Sequence, residues 1–311
     1  MANVGVRSPY FWYKASASGT SVMLDIQIDG VSRYTILKNA TTDGYVTYEI
    51  SDLIRDYIEI NYTGTLLSAG ALSVEVDLYY TTYTGQNGTG TATGPTLDTS
   101  FDAYDGYAYY TDEEEQFIYP TTSPLLSNYT IWAPDDTAGF FYYTSAGTAS
   151  RYDYLTTDTS VSAGGQTITI KRFGCTRFNE VKIVFVNRYG VLQQLYFFTK
   201  TIEGLSTQKK TFKSSAVSVS GSYQYEKHQI KTFDANGITR YTLNTGYISE
   251  DYNQFIKELM LSEQVWAHID GVIYPVNVVS SDMRFKTSLN DKLVDYQIEI
   301  QQANDLISTM R

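Results

Sequence analysis

The stretch Ser21-Val-Met-Leu-Asp-Ile-Gln-Ile-Asp-Gly30 alternates apolar and polar side chains, with Leu24, Ile26 and Ile28 set against the residues between them. A period of two is typical of a β-strand that buries one face and exposes the other. The closing Asp-Gly pair is a strong signal for a tight hairpin turn. We therefore predict a strand over residues 21–28 and a returning strand over residues 33–37.

The same alternation recurs along the chain, which contains 29 Tyr residues that suit a pleated sheet. It predicts further strands over residues 46–50, 72–80, 166–172, 181–186, 192–199, 217–225 and 296–301. Helical spacing appears only behind Ser51-Asp52 and behind Ser249-Glu-Asp, where Tyr252, Phe255, Ile256, Leu259 and Met260 form an apolar stripe. The predicted fold is mainly β, with β-sandwich-like domains and one or two short helices.

Changes of composition divide the chain into three predicted domains. Residues 81–99 are rich in Thr and Gly and predict an exposed loop or linker. We expect an N-terminal β-sandwich domain over residues 1–85, an acidic, Tyr-rich β-domain or insertion over 100–175, and a C-terminal β-domain with one helix over 176–311.

Charge is distributed unevenly along the chain. Residues 1–160 hold six Lys or Arg against 20 Asp or Glu, and residues 161–311 hold 17 against 14. Opposite potentials on two parts of one protein favour docking with copies of itself or with a complementary partner. An acidic domain that serves solubility alone explains the same asymmetry.

Composition excludes several classes of protein. No apolar run is long enough to span a bilayer, so no membrane insertion is expected, and the first ten residues do not resemble a secretory signal. One Cys and two distant His offer no disulfide and no zinc site. A net charge of -11 without a basic cluster argues against nucleic acid as a partner.

No catalytic, cofactor or metal residue is predicted, and we do not expect an enzyme. Gly88-Thr-Gly90-Thr-Ala-Thr-Gly94 is followed by Pro95 and more Thr instead of the helix that must open behind a phosphate loop, so it is interpreted as low-complexity sequence. Cys175, His228 and His268 are interpreted as structural residues. The acidic cluster at Asp98, Asp102, Asp105, Asp112 and residues 113–115 is interpreted as a solvated face, although a carboxylate pair for glycoside hydrolysis stays open.

Two groups of residues are candidate subunit contacts. Tyr offers a large, rigid contact area at low entropic cost, and ten Tyr fall between residues 101 and 154. We single out Tyr104, Tyr107, Tyr109 and Tyr110 in the middle domain, and Lys209, Lys210 and Lys213 in a basic loop after Leu205.

Three stretches resemble the structural proteins of tailed-bacteriophage virions, of the tail, baseplate or neck type. They are Tyr48-Glu-Ile-Ser-Asp-Leu-Ile-Arg-Asp-Tyr-Ile58, Val184-Phe-Val-Asn-Arg-Tyr-Gly-Val191 with Leu195-Tyr-Phe-Phe-Thr199, and Ser262-Glu-Gln-Val-Trp-Ala-His-Ile-Asp-Gly-Val-Ile-Tyr-Pro-Val-Asn-Val278 with Phe285-Lys-Thr, Asn290-Asp-Lys-Leu and Tyr296-Gln-Ile-Glu-Ile300. Together they cover about half of the chain, and the acidic middle lies outside them.

The resemblance implies a protein that is made in the host cytoplasm and functions in the virion tail. Its partners would be copies of itself and other virion proteins in a symmetric homo-oligomer. The alternative function is a receptor- or carbohydrate-binding adhesin module of the tail, in which the Tyr-rich segment over residues 100–175 grips a cell-surface glycan. A glycoside hydrolase is the third.

Overall fold

The computed structural model describes residues 2–7, 11–17, 20–112, 116–174, 178–215, 217, 219–222, 226–285 and 295–307. In this part of the chain there are 21 β-strands and two α-helices, so the fold is mainly β, as predicted. The chain divides into two compact units. Unit 1 comprises Met1–Cys175, Val184–Leu195 and Asp251–Ser262, and unit 2 comprises Thr176–Ile183, Tyr196–Glu250 and Glu263–Arg311.

The main sheet of unit 1 has six strands in the order β4-β3-β6-β7-β1-β8. Their bounds are β1 Ala2–Gly5, β3 Ser21–Ile28, β4 Val31–Asn39, β6 Ser73–Tyr83, β7 Ala92–Tyr104 and β8 Phe117–Ile118. A second, two-stranded sheet pairs β2 (Trp12–Ser16) with β5 (Tyr45–Glu49).

These two sheets share one hydrophobic core, which makes the N-terminal region a β-sandwich. Alternate residues of β3, from Val22 to Ile28, are fully buried in that core. From the small sheet, Tyr48 reaches the same core, and its hydroxyl donates a 2.7 Å hydrogen bond to the carbonyl of Val22. Asp29 and Gly30 both have positive φ, so the predicted tight turn between β3 and β4 is present.

The remaining strands of unit 1 form two small sheets. One has the order β10-β14-β13, with β10 Thr130–Pro134, β13 Ser160–Ala163 and β14 Gln166–Phe173. The other has the order β12-β11-β9, with β9 Ser123–Pro124, β11 Gly139–Ser145 and β12 Thr148–Tyr154. The strands β15 (Val181–Val186) and β16 (Leu192–Phe197) follow and are hydrogen-bonded neighbours.

Unit 2 is built on five strands in the order β19-β20-β21-β18-β17. Their bounds are β17 Ile202–Lys213, β18 Ile230–Asn244, β19 Val265–Ile269, β20 Val272–Val278 and β21 Gln297–Gln302. β17 and β18 are the longest pair, and they run antiparallel from Ile202 opposite Thr242 to Lys213 opposite Ile230.

Both predicted helices exist, but neither uses the predicted cap. The first, α1 (Ser51–Arg55), follows Ile50, and the hydroxyl of Ser51 donates to the carbonyl of Val6 instead of capping the helix. The second, α2 (Asn253–Leu261), follows a single 3₁₀ turn at Glu250–Tyr252. Its predicted apolar stripe is buried at Tyr252, Phe255, Ile256 and Leu259.

The structure differs from the predicted domain boundaries and linker. Residues 1–85 and 100–175 belong to one unit, and residues 184–195 and 251–262 return to it. The Thr/Gly-rich segment is no linker, because β6 continues to Tyr83 and β7 begins at Ala92. Thr is a good strand residue, so a Thr-rich segment pairs with its neighbour once a long strand extends beside it.

Some sequence expectations fall on residues that the structure does not describe. These are residues 113–115, Cys175, residues 286–287 of the stretch Phe285-Lys-Thr, and the stretch Asn290-Asp-Lys-Leu. The predicted strand over residues 217–225 is partly in this class, and its described residues, 217 and 219–222, form a bridge and turns rather than a strand.

Two glycines with positive φ test how tightly the turns of unit 1 pack. A Cβ at Gly190 would lie 2.7 Å from the backbone nitrogen of Asp105, whereas a Cβ at Gly30 meets nothing within 4 Å. We expect Gly30→Ala to lower the free energy of unfolding by about 1 kcal/mol, through the left-handed conformation alone. Gly190→Ala should cost about 3 kcal/mol or more, because it adds a backbone clash. Urea denaturation of both variants measures this difference, and equal costs would contradict the close approach.

Candidate assembly surfaces

The most exposed regular structure is a two-stranded ribbon in unit 2. We define the ribbon as residues 205–213 of β17 and residues 230–239 of β18, which pair with each other. β21 joins β18 only from Arg240 onward. Eleven of the twelve residues of β17 are exposed, on both faces of the strand. At about 3.4 Å a residue, the nine β17 residues of the ribbon span roughly 30 Å.

The predicted basic loop is part of this ribbon. Lys209, Lys210 and Lys213 lie on strand β17, and a fourth lysine, Lys231, lies on β18 opposite Phe212. The sequence did not predict a strand here, because a ribbon that is exposed on both faces has no buried face. Its residues therefore need not alternate between apolar and polar side chains. Lys210 forms an exposed ion pair with Asp234 at 3.0 Å. A bulge interrupts the ladder after Lys210, but its extra residue, Phe233, lies on β18. Side chains therefore keep alternating along β17, and Lys209 and Lys213 point to the face opposite Lys210.

The ribbon also exposes large apolar side chains. Leu205, Phe212, Ile230 and Phe233 have exposed fractions between 46% and 66%. The rings of Phe212 and Phe233 lie 6.1 Å apart in a tilted arrangement. β17 is the edge of its sheet, so its outer backbone groups face away from β18. Exposed edges that carry apolar residues favour pairing with another chain.

The four candidate tyrosines differ in how much surface they offer. Tyr104 is 2% exposed and belongs to the core of unit 1, so its side chain has no area to present to another protein. Tyr107 and Tyr109 are half-buried, with their rings 5.7 Å apart and edge to face. Tyr110 is 88% exposed. Sequence could not separate these residues, because neighbouring tyrosines carry the same chemistry and differ only in tertiary environment.

Arg188 organises the half-buried tyrosines. Its guanidinium carbon lies 5.0 Å from the ring centre of Tyr109 and 5.1 Å from that of Phe117. It also forms an ion pair with Asp112 at 3.0 Å. The ring of Tyr109 holds a second cation, because the amine of Lys257 lies 3.7 Å from its centre. Such contacts contribute about 0.5–2 kcal/mol each. Tyr107 and Tyr109 therefore stabilise unit 1 itself.

A buried carboxylate lies below this cluster. Glu258 of α2 is fully buried, and it accepts hydrogen bonds from the hydroxyl of Ser127, the amide of Gln254 at 3.4 Å and the backbone nitrogen of Arg188 at 3.5 Å. Burial raises the pKa of Glu258, and these donors partly offset the rise. Our sequence reasoning missed this residue. The sequence feature that could have identified it is its position in the helix. Glu258 lies three residues after Phe255 and therefore shares the buried face of the helix.

Burial also raises the pKa values of the two half-buried tyrosines. Burial first, and the nearby charge of Glu258 second, raise the pKa of Tyr109 to about 12. Burial also raises the pKa of Tyr107. Both phenols are therefore neutral at pH 7, and they serve as apolar rings with a hydrogen-bonding tip rather than as acids or bases.

The main sheet of unit 1 carries an acidic face, which we define by Asp25, Glu75, Asp77 and Asp102. These side chains point away from the core, because they alternate with its buried residues on β3, β6 and β7. In the ladder, Glu75 is directly opposite Asp102, and Asp77 is opposite Gln27. The acidic cluster expected around Asp98 to Asp112 is dispersed, since Asp105 instead pairs with Arg55 at 2.9 Å.

Unit 2 contains a cavity of about 350 Å³. Among its lining residues are Phe178, Asn179, Lys200, Tyr241 and Asp270, and the amide of Asn179 donates to the carboxylate of Asp270 at 3.2 Å. Its size is at the lower end of the range for small-molecule sites.

The two histidines and the acidic groups show no metal site in the described residues. His228 is exposed, and His268 is half-buried, with its pKa lowered to about 4 by burial and by the charge of Lys182. No group of three His, Cys, Asp or Glu side chains within the described ranges could hold a metal ion. Neither helix of the described chain has the length and apolar character to cross a membrane.

A scan against descriptions of known protein families finds no match to this chain, and a search of curated proteins finds none either.

The buried position of Glu258 predicts a pH-dependent stability. Its folded pKa lies above the unfolded value, so the folded chain binds the proton more tightly. The contribution of Glu258 is therefore most favourable below the unfolded pKa, near 4.3, and is lost as the pH rises through the folded pKa. We expect the stability advantage of wild type over Glu258→Gln to shrink between pH 4 and pH 8. Urea denaturation of both proteins across this range measures it.

The matched control is Glu59→Gln, an exposed carboxylate of the same unit that lies outside the acidic face. Its stability difference from wild type should vary much less with pH. A Glu258→Gln difference that grows with pH would contradict the raised pKa.

Proposed function

We propose that this chain is a structural subunit of a symmetric assembly of the tailed-phage virion type, in a tail, baseplate or neck. It acts by binding copies of itself and other virion proteins rather than by catalysis, and its place is the virion tail. Support comes from the resemblance of three sequence stretches and from one structural observation, the exposed ribbon of unit 2.

The ribbon is the main structural support for the proposal, because the other described residues of the chain cover little of its surface. A two-stranded hairpin by itself is marginally stable in water, and three strands or a packed face are normally needed. Here four large apolar side chains and one sheet edge stay exposed. A neighbouring subunit that covers the ribbon buries these side chains at about 25 cal/mol for each Å² of apolar area.

The tyrosine cluster contributes differently. Because Tyr104, Tyr107 and Tyr109 pack within unit 1, Tyr110 is the candidate of that group with a free ring face. Arg188, Lys257 and Glu258 hold the segment before it in place. A rigid support beneath an exposed aromatic ring suits a contact that must form without reordering the chain.

The test is the assembly state of the purified protein. We expect mass photometry and negative-stain images of wild type to show rings, tubes or another closed repeat. Phe212→Thr with Phe233→Thr keeps good strand residues and removes both rings, so the assembled fraction should fall at least about tenfold with little change in melting temperature.

Leu155→Thr is the control, because Leu155 is also a largely exposed apolar residue but lies in unit 1, outside the ribbon. It should assemble like wild type. A wild-type chain that stays monomeric in sedimentation velocity at about 100 µM, a concentration high enough to populate micromolar complexes, would contradict the structural role.

The cavity of unit 2 favours a second function, a carbohydrate-binding module of the tail. Aromatic rings at Phe178 and Tyr241 stand beside amide and carboxylate groups at Asn179 and Asp270, and this combination suits the apolar faces and hydroxyls of a sugar. The site lies outside residues 100–175, where the sequence placed a glycan surface.

Glycan-array binding by the full chain tests this second function. We expect Asp270→Asn to reduce sugar binding at least about tenfold, because a carboxylate that accepts hydroxyl hydrogen bonds becomes an amide. Asp153→Asn is the control, since Asp153 is an exposed acid of unit 1. Equal binding by wild type and Asp270→Asn would contradict a sugar site in this cavity.

A further inference from the structure

The acidic face of unit 1 places like charges beside each other. Glu75 and Asp102 are directly opposite in the β6–β7 ladder, and Asp77 follows Glu75 on the same side of β6. Like charges directly opposite on a sheet are destabilising. Asp25 adds a further carboxylate one strand away, where it accepts hydrogen bonds from Gln27 at 3.1 Å and from Ser32.

The strands of this face supply no compensating cation. β3, β6 and β7 contain neither Lys nor Arg. The two basic residues of β4 are engaged by aromatic rings, Arg33 with Tyr57 at 5.0 Å and Lys38 with Tyr48 at 5.2 Å. The face therefore has a negative potential that a cationic partner would relieve.

The ribbon has the opposite charge. Its residues 205–213 and 230–239 contain four lysines against one carboxylate, Asp234, and that carboxylate already pairs with Lys210. Lys209 and Lys213 lie four residues apart on β17, which is about 14 Å at 3.4 Å a residue. Neither forms an ion pair within the described part of the chain.

We propose that the ribbon of one copy lies across the acidic face of a second copy, with Lys209 and Lys213 beside Glu75 and Asp77. This inference rests on the proposed structural function and names the partner of the ribbon. The two surfaces are different patches of one chain, so the contact is heterologous, and each copy both gives a ribbon and receives one. Such contacts close into a ring or continue as a filament.

The size of the ribbon fits a contact of this kind. A two-stranded ribbon about 30 Å long and 10 Å wide covers roughly 300 Å², which is well below the ~800 Å² per partner of a standard stable interface. A single contact is therefore weak, and closure of many contacts in a ring supplies the stability. Charge complementarity of exposed groups also makes the association sensitive to salt.

Charge reversal on each surface, followed by mixing, tests the proposal. Lys209→Glu with Lys213→Glu reverses the ribbon, and Glu75→Lys with Asp77→Lys reverses the face. In 50 mM salt we expect each variant alone to self-associate at least about tenfold more weakly than wild type, measured by sedimentation velocity. An equimolar mixture should regain association, because the reversed ribbon of one variant matches the reversed face of the other.

Lys14→Glu with Lys171→Glu is the matched control, since it makes the same change of net charge at two exposed lysines outside the ribbon. It should associate like wild type, and thermal unfolding of all variants checks that they fold. Raising the salt to about 0.5 M should weaken wild-type association, because it shortens the screening length.

The outcomes separate the two proposals. Assembly that survives both reversals overturns this inference and leaves the structural function standing. Two variants that each fail to assemble and also fail when mixed overturn the specific pairing of ribbon and face. A monomeric wild type overturns both. If the chain binds an oligonucleotide through these lysines and does not self-associate, the partner of the ribbon is not a second copy of the chain, and the inference is overturned.

Discussion

The alternation of side chains along β3 and β6 is the constraint on which the rest of unit 1 depends. A strand that buries every second residue must expose the residues between them. Because Val22, Leu24, Ile26 and Ile28 form the core, Asp25 and Gln27 are forced to the other side of the sheet. The register of β6 against β3 aligns a second such series. Core and acidic face are thus two sides of one pattern, and a one-residue slip would exchange them.

A buried polar network stabilises the part of unit 1 that follows the main sheet. Asn187 is buried, and its amide donates to the carbonyl of Leu125 and to the side chain of Gln193, both at 2.9 Å. One residue later, Arg188 stacks on aromatic rings while its backbone nitrogen faces Glu258. A buried carboxylate is costly unless its hydrogen bonds are satisfied. The network therefore demands precise placement of α2, which no local preference of the sequence supplies.

The ribbon of unit 2 depends on the opposite kind of interaction. Its strands are held by backbone hydrogen bonds, with little burial on either face. A structure of this kind receives little stabilisation from a core of its own. Its exposed apolar and cationic side chains contribute favourable free energy only when a partner covers them. On the proposed functions, the buried core of unit 1 supplies stability, whereas recognition falls to exposed surfaces, the ribbon of unit 2 and the acidic face of unit 1.

The sequence by itself determined the period of the strands, the Asp29-Gly30 turn, the mainly β fold and the buried stripe of α2, because each follows from local alternation or turn chemistry. Only the tertiary structure decided which tyrosines are free: Tyr104 and Tyr110 are six residues apart, but Tyr104 ends strand β7 and is buried, whereas Tyr110 begins a 3₁₀ turn and is exposed. It also turned the predicted linker and basic loop into paired strands. Exposed strands lack a buried face, so the partner strand, not the local pattern, fixes their conformation.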